Sequence, residues 1–182
     1  MGTRIAYRIN YEKAIEALVF LAEQQPGIDI YHVAKVLFYA DKMHVNKFAR
    51  PILGDTYICM NHGPVPSGVR DLITDNPWLS PDLVDKKCTS LEIEGSRFNL
   101  TAKRKPNLDY FSKTDLDCLR TALLEHGKKP FGELREQTHD EKCYIESGIN
   151  QPIDYALLVD DDNPNRNAIL EEMEEAAAYV QL

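Results

Sequence analysis

Of the side chains in this 182-residue sequence that are of the kinds that move protons, three stand out by their setting: Asp41, His44 and His62. Asp41 and His44 stand three residues apart in a helical pattern and so fall on one face. His62 follows in a proline-rich loop, Asn61-His62-Gly63-Pro64-Val65-Pro66-Ser67. A carboxylate, a histidine on the same face and a second histidine at a rigid corner would suit general acid–base work in a hydrolase or lyase. The simpler reading is structural. On a helical wheel Asp41 lies near the centre of an apolar stripe, and a carboxylate there is costly unless backbone amides or a tyrosine hydroxyl donate to it. Other chemistry finds no support in the pattern: there is no glycine-rich phosphate loop, G-x-S-x-G elbow or H-E-x-x-H run. Cys59, Cys88, Cys118 and Cys143 are scattered without C-x-x-C or a histidine at ligand spacing, so idle thiols are expected and neither metal nor cofactor.

The elements that hold these residues can be read from spacing. Asp29 is the expected N-cap of a long helix whose stripe runs through Ile30, Val33, Ala34, Leu37, Phe38, Val45 and Phe48. A turn at Gly54-Asp55 leads into a strand near 56–60, and the elbow at Gly63-Pro64-Val65 opens a helix with Pro66 as its first residue. Before them, Asn10 caps a helix through Ala14, Ile15, Leu18, Val19 and Ala22 that Pro26-Gly27 ends. After them, Trp78 is expected as a core anchor. A hairpin near 90–100 turns at Gly95-Ser96, setting Glu94 opposite Arg97, Ile93 opposite Phe98 and Leu91 opposite Leu100; with the earlier strand it could form one sheet. Ser112 opens a helix with Leu116, Leu119, Ala122 and Leu123 inward and Gly127 at its end. Phe131 and Leu134 mark a short helix, and Thr138 with Glu141 a capping box for another. Pro152 to Leu158 adds a turn or two. Asn163-Pro164 announces a final helix with a stripe of Ile169, Met173, Ala176 and Val180. The expectation is a single domain over 1–182, α+β and predominantly α-helical, with a small antiparallel sheet.

Charge divides the chain unevenly. The net charge is −8, yet residues 1–138 carry 19 Lys+Arg against 18 Asp+Glu, whereas residues 139–182 carry 2 against 11. An acidic helical region at 139–182 repels phosphate backbones, which disfavours nucleic acid as a partner and matches a basic protein surface. The Lys103-Arg104-Lys105 triplet reads as a solvated turn. No run of about 18 apolar residues spans a membrane, and the N-terminal stretch is too charged for a secretion signal, so the cytoplasm is the expected compartment.

The run KVLFYADKMH, followed by RPILGDTYICMNHGPVPSGVRDLI, resembles the core signature of the SocA-like or Panacea antitoxin domain, a family also found in phage-associated proteins. In that family an aromatic-Ala-Asp helix leads to a Gly-Asp turn, a strand and a Gly-Pro-Val elbow. The matching positions here are Tyr39, Asp41, Gly54, Asp55, His62, Gly63, Pro64 and Val65. The resemblance departs over 138–149, where Thr138-His139-Asp140-Glu141-Lys142-Cys143 stands in place of a histidine followed by Pro-Trp. It implies no enzyme but an antitoxin of a type II toxin-antitoxin system that neutralises a cognate protein toxin by direct contact, or an adaptor that delivers its toxin to a protease. Candidate partner contacts are Tyr57, His62 and the acidic residues Glu171, Glu172 and Glu175.

Overall fold

The computed structural model describes residues 4–180. Its first helix, α1 (Tyr11–Gln24), starts where the Asn10 side chain accepts from the Lys13 N–H and buries a continuous run from Ala14 to Ala22. The second, α2 (Ile30–Phe48), starts at Asp29, whose carboxylate accepts from the His32 N–H, and stops at Ala49 in the left-handed conformation. Every residue from Val33 to Asp41 is buried. That pattern fits a helix enclosed on all sides rather than one lying on a surface. The end of the expected stripe differs: Phe48 is exposed, its ring against His44.

Two short strands follow, β1 (Tyr57–Met60) and β2 (Gly63–Pro66), antiparallel with Tyr57 opposite Pro66 and Met60 opposite Gly63. The elbow is therefore itself a strand. Its two prolines cost the ladder little, because a two-stranded ribbon leaves one edge of β2 unpaired. On its other side β1 is hydrogen-bonded to the segment at Asn150–Ile153. Helix α3 (Ser67–Ile73) begins one residue after Pro66, which occupies the N-cap position rather than the first helical one.

Helix α4 (Pro81–Ser90) runs into a second ribbon of β3 (Leu91–Glu94) and β4 (Asn99–Ala102). The register there is Leu91 opposite Ala102, Ile93 opposite Leu100 and Glu94 opposite Asn99, two residues from that expected. A four-residue loop, Gly95 to Phe98, replaces the two-residue turn, with Gly95 and Phe98 both at positive φ. The shift by two keeps side-chain parity, so Ile93 and Leu100 still share a face. The two ribbons are separate, and β4 extends instead to Ile28 in the α1–α2 connection.

Helix α5 (Lys113–His126) carries a reciprocal cap between Ser112 and Asp115 and lies along α2. Helix α6 (Phe131–His139) runs one turn past the expected boundary, so Thr138 is a buried residue of its last turn, bonded to the Arg135 carbonyl, and caps nothing. Glu141 instead precedes α7 (Lys142–Glu146). A 3₁₀ turn at Tyr155–Leu158 leads to α8 (Arg166–Val180). Ile169, Met173 and Ala177 bury its inner face against the core and α2 contacts it; Ala176, expected inward, is exposed. Val180 lies outside the residues whose side chains are described. Among the described residues, eight helices and two antiparallel ribbons make an α+β, predominantly helical single domain. None of those helices is long and apolar enough to cross a membrane.

Candidate functional site

Asp41 sits where the stripe placed it, 1% exposed, and accepts from the Ile52 N–H at 2.7 Å and the Tyr57 hydroxyl at 2.8 Å. Burial pushes its carboxyl up to about 6, while those two donors pull in the opposite direction. The Tyr57 ring is wholly enclosed and its hydroxyl is committed to Asp41, so Tyr57 braces α2 against β1 and offers no surface to a partner.

Asp55, after the turn at Gly54, does a similar service. Its carboxylate accepts from the N–H groups of Thr56, Gly68 and Val69, capping α3 at a point where Pro66 has no side-chain acceptor. Gly54 turns the chain at φ +69, where a Cβ would meet the Arg8 carbonyl at 2.9 Å. Tyr155 closes the brace by donating to the Asp55 carbonyl at 2.6 Å.

His44 faces elsewhere. Its Nδ1 meets the Arg50 carbonyl at 2.8 Å, and its Nε2 lies 3.0 Å from the Thr114 hydroxyl and 3.1 Å from Asp115. Asp115 also takes Lys13 at 2.7 Å and Arg50 at 3.0 Å. Burial opposes ionisation of Asp115, but the groups from His44, Lys13 and Ser112 hold its carboxyl well below the usual range. His62 is exposed, its ring 5.4 Å from that of Phe131. No hydrogen bond joins any two of Asp41, His44 and His62, so the general acid–base trio is not assembled; each belongs to a different contact.

The elbow is fixed by packing. Gly63 has φ +97, and a Cβ there would run into the Thr138 hydroxyl and meet Lys35 Cε at 3.0 Å. Glycine lets α6 and α2 close on β2. The carbonyl of Pro64 then receives the Lys35 ammonium at 2.8 Å. Val65 is half-buried and faces a pocket of about 320 Å³ bounded by α2, the β1–β2 ribbon and α3. Lys35 forms part of its lining, as do Tyr31, His62 and Arg70.

Lys35 is the residue that sequence reasoning missed. Its signal was available: from Val33 to Ala40 every residue but Lys35 is apolar. It is 0% exposed, and its ammonium lies 5.0 Å from the Tyr31 ring centroid. Tyr39, one turn on, stacks its ring on His126 of α5 at 4.0 Å and leaves its buried hydroxyl without a partner among the described residues. On α8, Glu171, Glu172, Glu174 and Glu175 are exposed, and none pairs with a cation among the described residues. Those residues likewise contain no cluster of side chains suited to a metal.

With Asp41, Gly54-Asp55 and Gly63-Pro64-Val65 interlocked in this way, the run from α2 to α3 can be compared with known domains. A family model, antitoxin SocA-like, Panacea domain, matches residues 33–144. The chain belongs to this family. The match covers more than half of the chain and includes α2 from Val33 on, both ribbons, α3 and α5; Asp41, Asp55 and Gly63 lie within it with their partners Ile52, Tyr57 and Thr138, whereas Tyr155 and Arg8, which complete the brace, lie outside it. It ends before α8, whose acidic face is outside the matched region. Neither the curated proteins nor the solved structures contain a match to the chain.

Proposed function

We propose that this protein is the antitoxin of a type II toxin-antitoxin system, acting in the cytoplasm by binding a cognate protein toxin and covering its working surface. Membership of the SocA-like Panacea family carries this reading. The geometry supports it in two respects. The family's signature residues are spent on holding the fold, as Asp41 on Ile52 and Tyr57, and Asp55 on the start of α3, so their arrangement favours a rigid platform over a reaction centre. Helix α8 is anchored by Ile169 and Met173 yet presents four glutamates outward, none paired with a cation among the described residues, a surface that would steer a basic partner toward it. Contacts from Glu171, Glu172 and Glu175, and from His62 beside the pocket, would lie within an interface of about 1,600 Å².

Co-expression with the protein encoded next to it tests the reading. The neighbour alone should arrest growth, the pair should grow, and the two should co-purify in equal amounts. A harmless neighbour that does not co-purify overturns it. If growth is rescued while the toxin's half-life collapses in a protease-dependent way, the adaptor mode replaces occlusion.

A further inference from the structure

Two features of this chain have no counterpart within it: an apolar pocket that nothing fills and an indole that nothing covers. The pocket beside the elbow, about 320 Å³, is walled by Ile30, Met60, Val65, Val69 and Ile73. Asn61 and Asn150 add amides to the lining, and the exposed His62 and Arg70 stand at its mouth. No aspartate or glutamate lines it, and Arg70 makes no ion pair among the described residues.

The indole is that of Trp78, almost wholly exposed in the loop that joins α3 to α4. That loop is pinned. The Asn76 N–H donates to the Asp71 carbonyl at 3.0 Å and its side-chain amide to the Asp71 carboxylate at 2.8 Å, the Leu79 N–H donates to the Asn76 carbonyl at 3.0 Å, and Lys87 holds Asp75. Leu79 packs against the core while its neighbour stays outside. An anchor held ready in this way loses little freedom on docking, and tryptophan is among the residues that dominate interface energetics.

The two features match in chemistry. An indole is an apolar body with one N–H donor, and the pocket offers apolar walls with the side-chain carbonyls of Asn61 and Asn150 as acceptors. Charge agrees as well. Asp82 and Asp85 of α4, close in sequence to Trp78, are exposed and make no ion pair among the described residues, whereas Arg70 supplies the charge at the pocket mouth. Both features adjoin α3: Val69, Arg70 and Ile73 belong to the pocket, and the loop leaves the end of the same helix. A surface that carries an anchor and its receptor side by side can pair with itself about a two-fold axis.

We propose that two copies of this chain associate about a two-fold axis beside α3, each placing Trp78 in the other's elbow pocket, with Asp82 and Asp85 of one facing Arg70 of the other. Two indoles bury about 150–250 Å² each and a comparable area of pocket wall, which places the dimer at the small end of specific interfaces, below about 1,200 Å². The monomer therefore prevails in dilute solution. The inference does not depend on the antitoxin reading. Because His62 stands at the pocket mouth, a partner that covers the elbow and a second copy would exclude one another.

Sedimentation equilibrium of the full chain over about 5–500 µM tests it. The chain should pass reversibly from monomer to dimer as concentration rises. Trp78→Ala, at an exposed position, should keep its circular dichroism and raise the dissociation constant at least about 100-fold, since both anchors go at once. Val65→Phe, which fills the pocket from its half-buried wall, should do the same. Should that variant not fold, the exposed Arg70→Glu sets like charges against Asp82 and Asp85 and should weaken the dimer about 10-fold. A chain that stays monomeric at every concentration overturns the inference. So does a dimer that survives in folded Trp78→Ala or Val65→Phe, or that is indifferent to Arg70→Glu. If a monomeric chain instead loses the protein encoded next to it on Trp78→Ala, the indole belongs to that partner and the inference fails.

Discussion

Asp41 and Lys35, two turns apart on one helix, are opposite solutions to burying a charge. Asp41 is satisfied by an amide and a phenol; Lys35 has one carbonyl. Removing the Asp41 carboxylate strands two buried donors, each worth about 1–3 kcal/mol. Asp41→Ala should therefore lose about 2–6 kcal/mol in urea denaturation with an unchanged m-value, and Asp41→Asn, which keeps one acceptor, should lose less. Lys35 predicts a pH dependence of defined sign. Its folded value of about 7 lies below the ordinary 10.5, so between those limits the unfolded chain binds the extra proton. Its contribution to stability is then fully favourable above about 10.5 and is lost as pH falls through about 7, with a slope of roughly 1.4 kcal/mol per pH unit between them. The titratable and charged groups around it are Tyr31 on its own helix, Cys59 on β1, His62 at the ribbon turn, Arg70 on α3 and His139 on α6. Lys35→Met should flatten this part of the stability–pH curve while leaving the contributions of those neighbours in place.

At the scale of elements, two glycines at positive φ separate backbone conformation from packing. A Cβ on Gly95 meets nothing, whereas one on Gly63 runs into Thr138 and Lys35. Gly95→Ala should cost about 1–2 kcal/mol, the penalty for a left-handed L-residue. Gly63→Ala should exceed it by a further 1–3 kcal/mol or so, because α6 must move, and hydrogen exchange in α6 should accelerate. This is also where sequence reasoning met its limits. Helix starts at Asn10, Asp29 and Ser112 were legible because capping is local chemistry written within four residues. The role of Asp41 followed from its place on the stripe. The β3–β4 register was not legible, since shifts of two conserve the apolar pattern and only the loop conformation at Phe98 decides between them. The pairing of Gly63-Pro64-Val65 with β1 and with α6 depends on contacts from Thr138, many residues away. His44 likewise could be placed on its helix, but its partner Asp115 arrives with α5.

The whole molecule is assembled around α2, which meets α3, α5, α8 and the β1–β2 ribbon. Its two exposed ends of interest are separable from that core. Changing Glu171, Glu172 and Glu175 to lysine should leave stability within about 0.5 kcal/mol, since all three are solvated, yet slow association with a basic partner in a salt-dependent manner measurable by stopped flow. Trp78 is the other feature. Expected in the core, it is 93% exposed in the loop after α3, where its backbone N–H donates to the Asn76 side chain at 3.0 Å. Proline on one side and a hydrophobic leucine on the other do not draw it inward, because Leu79 takes the packing position in that loop. As the sole tryptophan of the chain, this indole is a built-in optical probe with an unusual baseline. Its emission should already be red-shifted in the native protein and change little on unfolding, so folding must be followed by circular dichroism. A blue shift on mixing with another protein would then report that the α3–α4 loop has been covered.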